Sequence, residues 1–387
     1  MTSNLDWRTL LRLFLPLYAI HCMEQVYFVY GNVLAGYGIP QQTIGWLLSV
    51  FFIMIMAVRP VGGWLLENFG VRRTLAFASL LGFAGCTTLV LARSVPLLFL
   101  GRMLSGASFG IYSFGIFTYQ ALTIPEQQRG AAFAIVVSGG ILPTATITPI
   151  GEWLLVTGRP DLYLALGPVI CILCWYLGTR IDADSVPFRK EGEAWGTYGD
   201  LLESRPFLLL ILTGALIALV DASTVSMSLF AMERGVLVSY FLASGSVAGV
   251  LVRVGGAKIL NALPRPVLLA PCGMLMSGAL FFVTLRPSAA TFTIGGLLFG
   301  IGIGAAFPTL LALVSDTLPQ TLRPKGSAAA LLTYDLGWFV TPLTVGYAAS
   351  LLGIGTTFRA LSLLSLVSLT VLFLACWLPA YRKSRKG

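Results

Sequence analysis

Five ionisable side chains fall inside long apolar runs: His21, Glu24, Arg102, Asp221 and Asp335. A charged group in the middle of a bilayer costs ~2.5–3.5 kcal/mol on insertion scales, so such groups face a partner or a cavity. A carboxyl in low-dielectric surroundings holds its proton to higher pH than in water, so it can load and release one at ordinary pH. Glu24 is the first candidate for that chemistry. His21 lies one turn away on the same helical face. Sliding Glu24 by 194 positions reaches 218, which leaves Asp221 one helical turn further on. Both acids are expected near the midplane, by the rise of ~1.5 Å per residue. Arg102 is expected to reach toward Glu24, so that protonation of the acid frees the guanidinium. The competing role for each residue is a structural ion pair or polar bond that fixes packing. For His21 that role is a hydrogen-bonded structural one, and Arg59 and Arg253 are expected to snorkel from the cytoplasmic ends.

The elements that must hold these groups are membrane helices. Of 387 residues, 57% are hydrophobic and 11% charged, against about 25% charged in soluble domains. The mean hydropathy is +0.86. A spanning helix needs roughly 20 apolar residues. The pattern predicts twelve spans at 10–35, 43–66, 74–92, 95–119, 130–155, 162–180, 206–232, 236–257, 266–285, 290–315, 326–351 and 356–379. The polar stretch 181–205 reads as a linker between six-helix halves, 1–180 and 206–387. The first span is expected to serve as its own uncleaved insertion signal.

With the N-terminus placed in the cytoplasm, seventeen of the 25 Lys and Arg residues fall on inside segments and five outside. That bias puts both termini and the linker in the cytoplasm of a plasma (inner) membrane protein. It also accounts for the net charge of +9 without nucleic acid. All six cysteines lie in apolar runs. Cys171 and Cys174 form a C-x-x-C with no second ligand pair, which reads as thiols packed in a helix rather than a metal or redox site.

Between the second and third spans lies a short charged hairpin, RPVGGWLLENFGVRR, from Arg59 to Arg73. Its glycines suit a tight helix–turn–helix. It has a degenerate twin at 253–266, RVGGAKILNALPRP, shifted by 194. The same shift puts Pro319 on Pro125 and Arg323 on Arg129, and a shift of 193 puts Pro342 on Pro149. Matches of this kind at half the chain length indicate an internal duplication.

These residues resemble the major facilitator superfamily over essentially the whole chain. Its signature loop, G-x-L-x-D-R-x-G-R-R/K, stands here as Gly63, Leu65, Glu67, Gly70, Arg72 and Arg73. Glu67 replaces the Asp, and Asn68 and Val71 occupy positions where basic residues are common. Arg102 and Gly106 match the Arg-x-x-x-Gly pattern of the family's fourth helix. Gly139, Gly140, Pro143, Pro149 and Gly151 resemble the glycine-rich, Gly-Pro-ending fifth helix of family exporters, with Thr148 in place of the glycine before Pro149.

The resemblance implies an all-α membrane protein of 12 helices, two pseudo-symmetric six-helix bundles around a central cavity lined by helices 1, 4, 7 and 10, across which Glu24 and Asp221 would face one another. It implies a drug or metabolite:proton antiporter. Its partners would be a small-molecule substrate, protons and the bilayer, its energy source a proton gradient, and a monomer its state. Glu67 is expected to latch the halves on the cytoplasmic side near Lys325–Ser327. Pro143, Pro149 and Pro342 are expected to kink their helices. Gly296, Gly300 and Gly304 recur every four residues and predict a close helix crossing. Tyr27, Tyr30, Tyr112, Phe114, Phe117 and Tyr119 read as packing before pocket. An uptake carrier or uniporter of one metabolite is the alternative. No G-x-x-x-x-G-K-[ST] occurs, which argues against ATP-driven pumping. One histidine with scattered acids supplies no clustered enzyme site, and two unlike halves disfavour a channel.

Overall fold

A computed structural model describes residues 7–123, 136–181, 198–255, 264–319 and 322–384. The chain divides into two compact units. One comprises Met1–Ile39 with Trp46–Arg189, the other Pro40–Gly45 with Lys190–Gly387.

The first unit opens with α1 (Trp7–Gln25), a 3-10 turn (Val26–Val29) and α2 (Tyr30–Gly36). It continues with α3 (Gln41–Leu91), α4 (Val95–Thr123), α5 (Leu142–Val156) and α6 (Pro160–Thr179). α1 packs on α4, α5 and α6. The predicted second and third spans are the two arms of α3, which meet at Gly70 (φ 75, ψ 168). Only glycine adopts those angles without strain, because a Cβ would clash with the backbone. The hairpin is therefore a single residue's turn.

In the second unit α7 (Tyr198–Glu203) leads into α8 (Arg205–Ala222), a 3-10 turn (Ser223–Ser226) and α9 (Met227–Glu233). Then come α10 (Ser239–Gly255), α11 (Leu269–Leu285), α12 (Ala289–Thr317), α13 (Arg323–Leu352) and α14 (Ile354–Leu372). A π-helical turn at Phe373–Trp377 joins α14 to α15 (Leu378–Ser384). α8 packs on α13, and α12 on α10 and α11.

Among the described residues nine helices are long and apolar enough to cross a membrane. Three of the twelve expected spans account for the difference. The first carries Arg12, His21, Glu24 and Gln25 within its apolar run, the fifth begins outside the described residues, and the eighth, Ser239–Gly255, is a shorter apolar helix. Large apolar side chains stay exposed along the helices, among them Leu91, Val156, Trp153 and Leu364. An apolar surface of that extent belongs in lipid.

The duplication is built into the internal contacts of each unit. α4 and α12 each run 29 residues, 194 positions apart. In the first unit Gly106 lies so close to the Phe51 carbonyl that a Cβ would overlap it, and Gly110 would place one 3.0 Å from the Ile55 Cα. In the second unit Gly300 stands against the Gly245 carbonyl, and Gly304 would place a Cβ 3.0 Å from the Gly249 Cα. All four glycines and all four contacts are related by the same shift of 194. Absence of side chains lets these helix backbones touch, as the four-residue glycine spacing on α12 predicted.

Candidate functional site

The interruption of the first helix organises the site. α1 stops at Gln25, and Val26–Val29 tightens into 3-10 geometry before α2 resumes. A 3-10 stretch inside a helix marks strain or a hinge, and it leaves carbonyls without their usual helical donors. Neighbouring helices supply replacements. Thr148 Oγ1 on α5 donates to the Gln25 carbonyl at 3.1 Å. Tyr163 Oη on α6 donates to the Val26 carbonyl at 2.9 Å. Gln25 itself crosses to the turn before α5, where its Nε2 donates to the Gly140 carbonyl at 2.8 Å, and its Oε1 accepts from Thr144 Oγ1. Below it, Tyr18 Oη and Thr146 Oγ1 are 2.7 Å apart.

Glu24 sits at the lip of this break. His21 Nδ1 is 2.9 Å from Glu24 Oε2, with side chains only 16% and 10% exposed. Nδ1 donates to an ionised Glu24 when it carries the ring proton, and accepts from a protonated Glu24 when it does not. The imidazole edge meets the Phe109 ring at 5.0 Å. A Cβ on Gly140 would lie 3.2 Å from His21 Nε2, so the glycine leaves room for the ring. Three predicted residues, His21, Glu24 and Gly140, thus come together.

Arg102 does not join them. Its guanidinium is 3% exposed and turns to the first arm of α3. Nε donates to the Leu47 carbonyl at 3.0 Å and Nη2 approaches the Leu48 carbonyl at 3.5 Å. The Phe51 ring lies 4.5 Å from its Cζ and the Tyr27 ring 5.7 Å. Among the described residues no ion pair links it to Glu24. Carbonyl dipoles and aromatic faces offset the charge in place of the expected carboxylate. The equivalent position in the second unit is Gly296, which stands against the Phe241 carbonyl, 194 residues beyond Leu47. One unit fills that crossing with a guanidinium, and the other closes it.

The glycine and proline positions fall as follows. Gly139 and Gly140 form a turn, with their amides bonded to the Val136 and Val137 carbonyls at 3.0 Å. Pro143 occupies the first turn of α5 rather than its interior, where a missing N–H costs nothing. Helical residues 136–138 precede that turn, so the fifth span is interrupted directly before Pro143. Pro149 and Pro342 are internal to α5 and α13, as are Pro16, Pro168 and Pro308 in their helices. Gly151 faces the Tyr163 ring, 3.1 Å from a Cβ placed there. Leu65 is partly buried, while Arg72 and Arg73 are exposed. The side chains of Gly63 and Glu67, most of the twin hairpin (256–263), Pro125 and Arg129 lie outside the described residues. Tyr27, Tyr30 and Tyr112 are fully buried, which fits packing.

Asp221 occupies the matching place in the second unit, two residues before the turn Ser223–Ser226. Tyr334 Oη donates to Asp221 Oδ2 at 2.6 Å, and Asp335 follows on α13. Arg253 does not simply snorkel. Its guanidinium carbon lies 5.9 Å from the Phe307 ring, and it acts electrostatically on Tyr334 and Asp221.

Sequence reasoning missed Gln25, Thr148, Tyr163 and Tyr334, and it passed over Glu152, an acid in an apolar run that is 5% exposed. Only Glu152 carried an obvious signal. The thiols of Cys86 and Cys171 are 3.8 Å apart, and among the described residues no three His, Cys, Asp or Glu side chains cluster as metal ligands.

Known proteins share this architecture. A Na(+), Li(+), K(+)/H(+) antiporter of Planococcus maritimus is 24% identical over 373 residues, covering 84% of this chain and 85% of that protein. Probable anion transporter 5 of Arabidopsis thaliana is 32% identical over 146 residues, 36% of this chain, which spans only 33% of the plant protein in that match. A POT family transporter in complex with 5-aminolevulinic acid superposes with a TM-score of 0.78 at 14% identity, over 96% of each chain. A mutant of the nucleoside transporter NupG gives 0.75 at 11% identity, over 94% of this chain and 99% of that one. These structures share the fold. Residues 9–342 match the family model of the Major Facilitator Superfamily, and the chain belongs to that superfamily, as a multi-pass membrane transporter and not an enzyme.

Proposed function

We propose that the protein is a proton-coupled exporter of small organic compounds, working by alternating access in the plasma (inner) membrane with both termini in the cytoplasm. The observation that carries this reading is the His21–Glu24 pair, nearly buried, at 2.9 Å, immediately before a helix break. Adding a proton to the pair changes its charge by one unit in a low-dielectric place, where that change is felt most strongly. The adjoining turn is held by side-chain bonds from α5 and α6 beside its own 3-10 bonding, so it is the part of α1 best able to respond. Antiport is supported by the name of the Planococcus relative, and export by the glycine–proline pattern of the fifth span. One proton entering across ~100 mV supplies about 2.3 kcal/mol. That sustains a gradient of roughly fifty-fold if one neutral molecule leaves per proton.

The test uses energised everted membrane vesicles whose internal acidity is reported by acridine orange. Ethidium and other organic cargoes, and separately NaCl, LiCl and KCl, are added. Proton release on adding an organic cargo, lost in Glu24→Gln, is expected. Release only with the alkali chlorides would replace the cargo class. Transport that survives collapse of the proton gradient, or full coupling in Glu24→Gln, would overturn the reading.

A further inference from the structure

The two acids beside the helix breaks keep different company. Glu24 meets an imidazole, His21 Nδ1, at 2.9 Å. Asp221 meets a phenol. Tyr334 is 8% exposed, and its hydroxyl lies 2.6 Å from Asp221 Oδ2, within the range of O–H bonds to an ionised acceptor. The Tyr334 ring is set edge-on against Phe307 at 5.1 Å, which fixes the phenol's direction. Phe307 also carries Arg253, whose guanidinium carbon is 5.9 Å from the ring. Arg253 Nε is buried and its N–H donates to no protein acceptor, so that nitrogen is not committed to a carbonyl as Nε of Arg102 is. The charged and titratable groups around the Asp221–Tyr334 pair are Arg253 from α10 and Asp335 from α13. Asp221 stands two residues before the turn Ser223–Ser226, and its own carbonyl accepts from Thr224 Oγ1 within that turn at 2.6 Å.

We propose that Tyr334 is a positioning residue for Asp221. Its hydroxyl holds the carboxylate in one orientation beside the helix break, so that the acid of the second unit is a fixed charge while the acid of the first exchanges the proton. The division of labour rests on the proposed proton-coupled reading; the positioning contact does not.

Infrared difference spectra of the purified protein in lipid, with buffer stepped from acid to alkaline, test both parts without any cargo. One component of the proton-dependent carboxyl C=O signal is expected to vanish in Glu24→Gln, and that component to persist in Asp221→Asn. Tyr334→Phe is expected to shift the carboxylate band that Asp221→Asn removes. Reciprocally, Asp221→Asn is expected to shift the tyrosine C–O band that Tyr334→Phe removes, so a poorly folding Tyr334→Phe leaves a second reading of the same contact. Bands unmoved in both directions would overturn the positioning role. A C=O component lost in Asp221→Asn would overturn the fixed charge. A signal that survives whole in Glu24→Gln would sink the proposed proton site alone, because the Tyr334–Asp221 shifts are read independently of it.

Discussion

Glu24 and Asp221 stand at the same distance from a broken helix. Each lies two residues before a four-residue 3-10 turn, Val26–Val29 and Ser223–Ser226, whose starts are 197 positions apart. Each turn is followed by a seven-residue helix and then a glycine of positive φ, Gly38 (φ 74) and Gly235 (φ 65). Packing runs on another register. Thr148 donates to the Gln25 carbonyl at 3.1 Å and Thr341 to the Leu219 carbonyl at 3.2 Å, pairs related by 193 and 194. The acid therefore follows the break, and the break has moved one turn along the helix between the two units.

The turn at Val26–Val29 depends on donors from other helices. Tyr163→Phe and Thr148→Val each strip one carbonyl of its side-chain partner. Leaving a buried acceptor unmet costs ~1–3 kcal/mol. Thermal unfolding of the purified variants should show each loss, and the double variant should lose less than the sum, because both bonds hold one turn. Unchanged melting in both would mean the turn does not need them.

Arg102→Lys is expected to behave as a severe substitution. The ammonium cannot keep the guanidinium plane against Phe51 while donating to Leu47, and hydrogen bonds from a charged group contribute about 1.5–3 kcal/mol. Stability and transport should fall together. A lysine variant as stable as the parent would mean that charge alone is required there.

Gly106→Ala and Gly300→Ala should destabilise their units alike, since each Cβ would overlap a backbone carbonyl, that of Phe51 or of Gly245. Overpacking of this kind costs ~1–3 kcal/mol. Gly278→Ala is the control, with nothing within 4 Å of its Cβ and about 1 kcal/mol of helix propensity to gain. Melting temperatures that fail to separate the two classes would contradict the crossing geometry.

Gly70→Ala should cost ~1–3 kcal/mol, because φ 75 and ψ 168 suit glycine alone. Gly62→Ala should cost less, since its Cβ would meet the Phe114 ring at 3.4 Å and the Ile111 Cα at 3.8 Å, both ordinary contacts. Equal effects would place the hairpin's constraint in packing and not in backbone geometry.

Much of the architecture was legible because hydropathy marks each span and helix-breaking residues mark each end. Gly70 announced the tight hairpin, and the four-residue glycine spacing announced the crossing of α12 on α10. His21 and Glu24 were readable as one turn of one helix. The breaks were not readable, because VYFV and STVS contain neither glycine nor proline. Sliding the halves by one fixed shift also hid the extra turn before Ser223. The partners of Arg102 are main-chain carbonyls, which every residue carries, so no side-chain pattern could point to them. Pro143 was readable as a break, and the fifth span is interrupted at 139–141, just before it.

The composition of Val26–Val29 has a consequence for how the first helix is governed. Nothing in those four residues forbids an ordinary α-helical turn, so the interruption is imposed from outside, by a hydroxyl on α5 and a phenol on α6. Its shape is borrowed. If either lender withdraws, the segment is free to wind straight, carrying Glu24 and everything beyond it through a new angle. The conformation of α1 is then a gauge of where its neighbours stand.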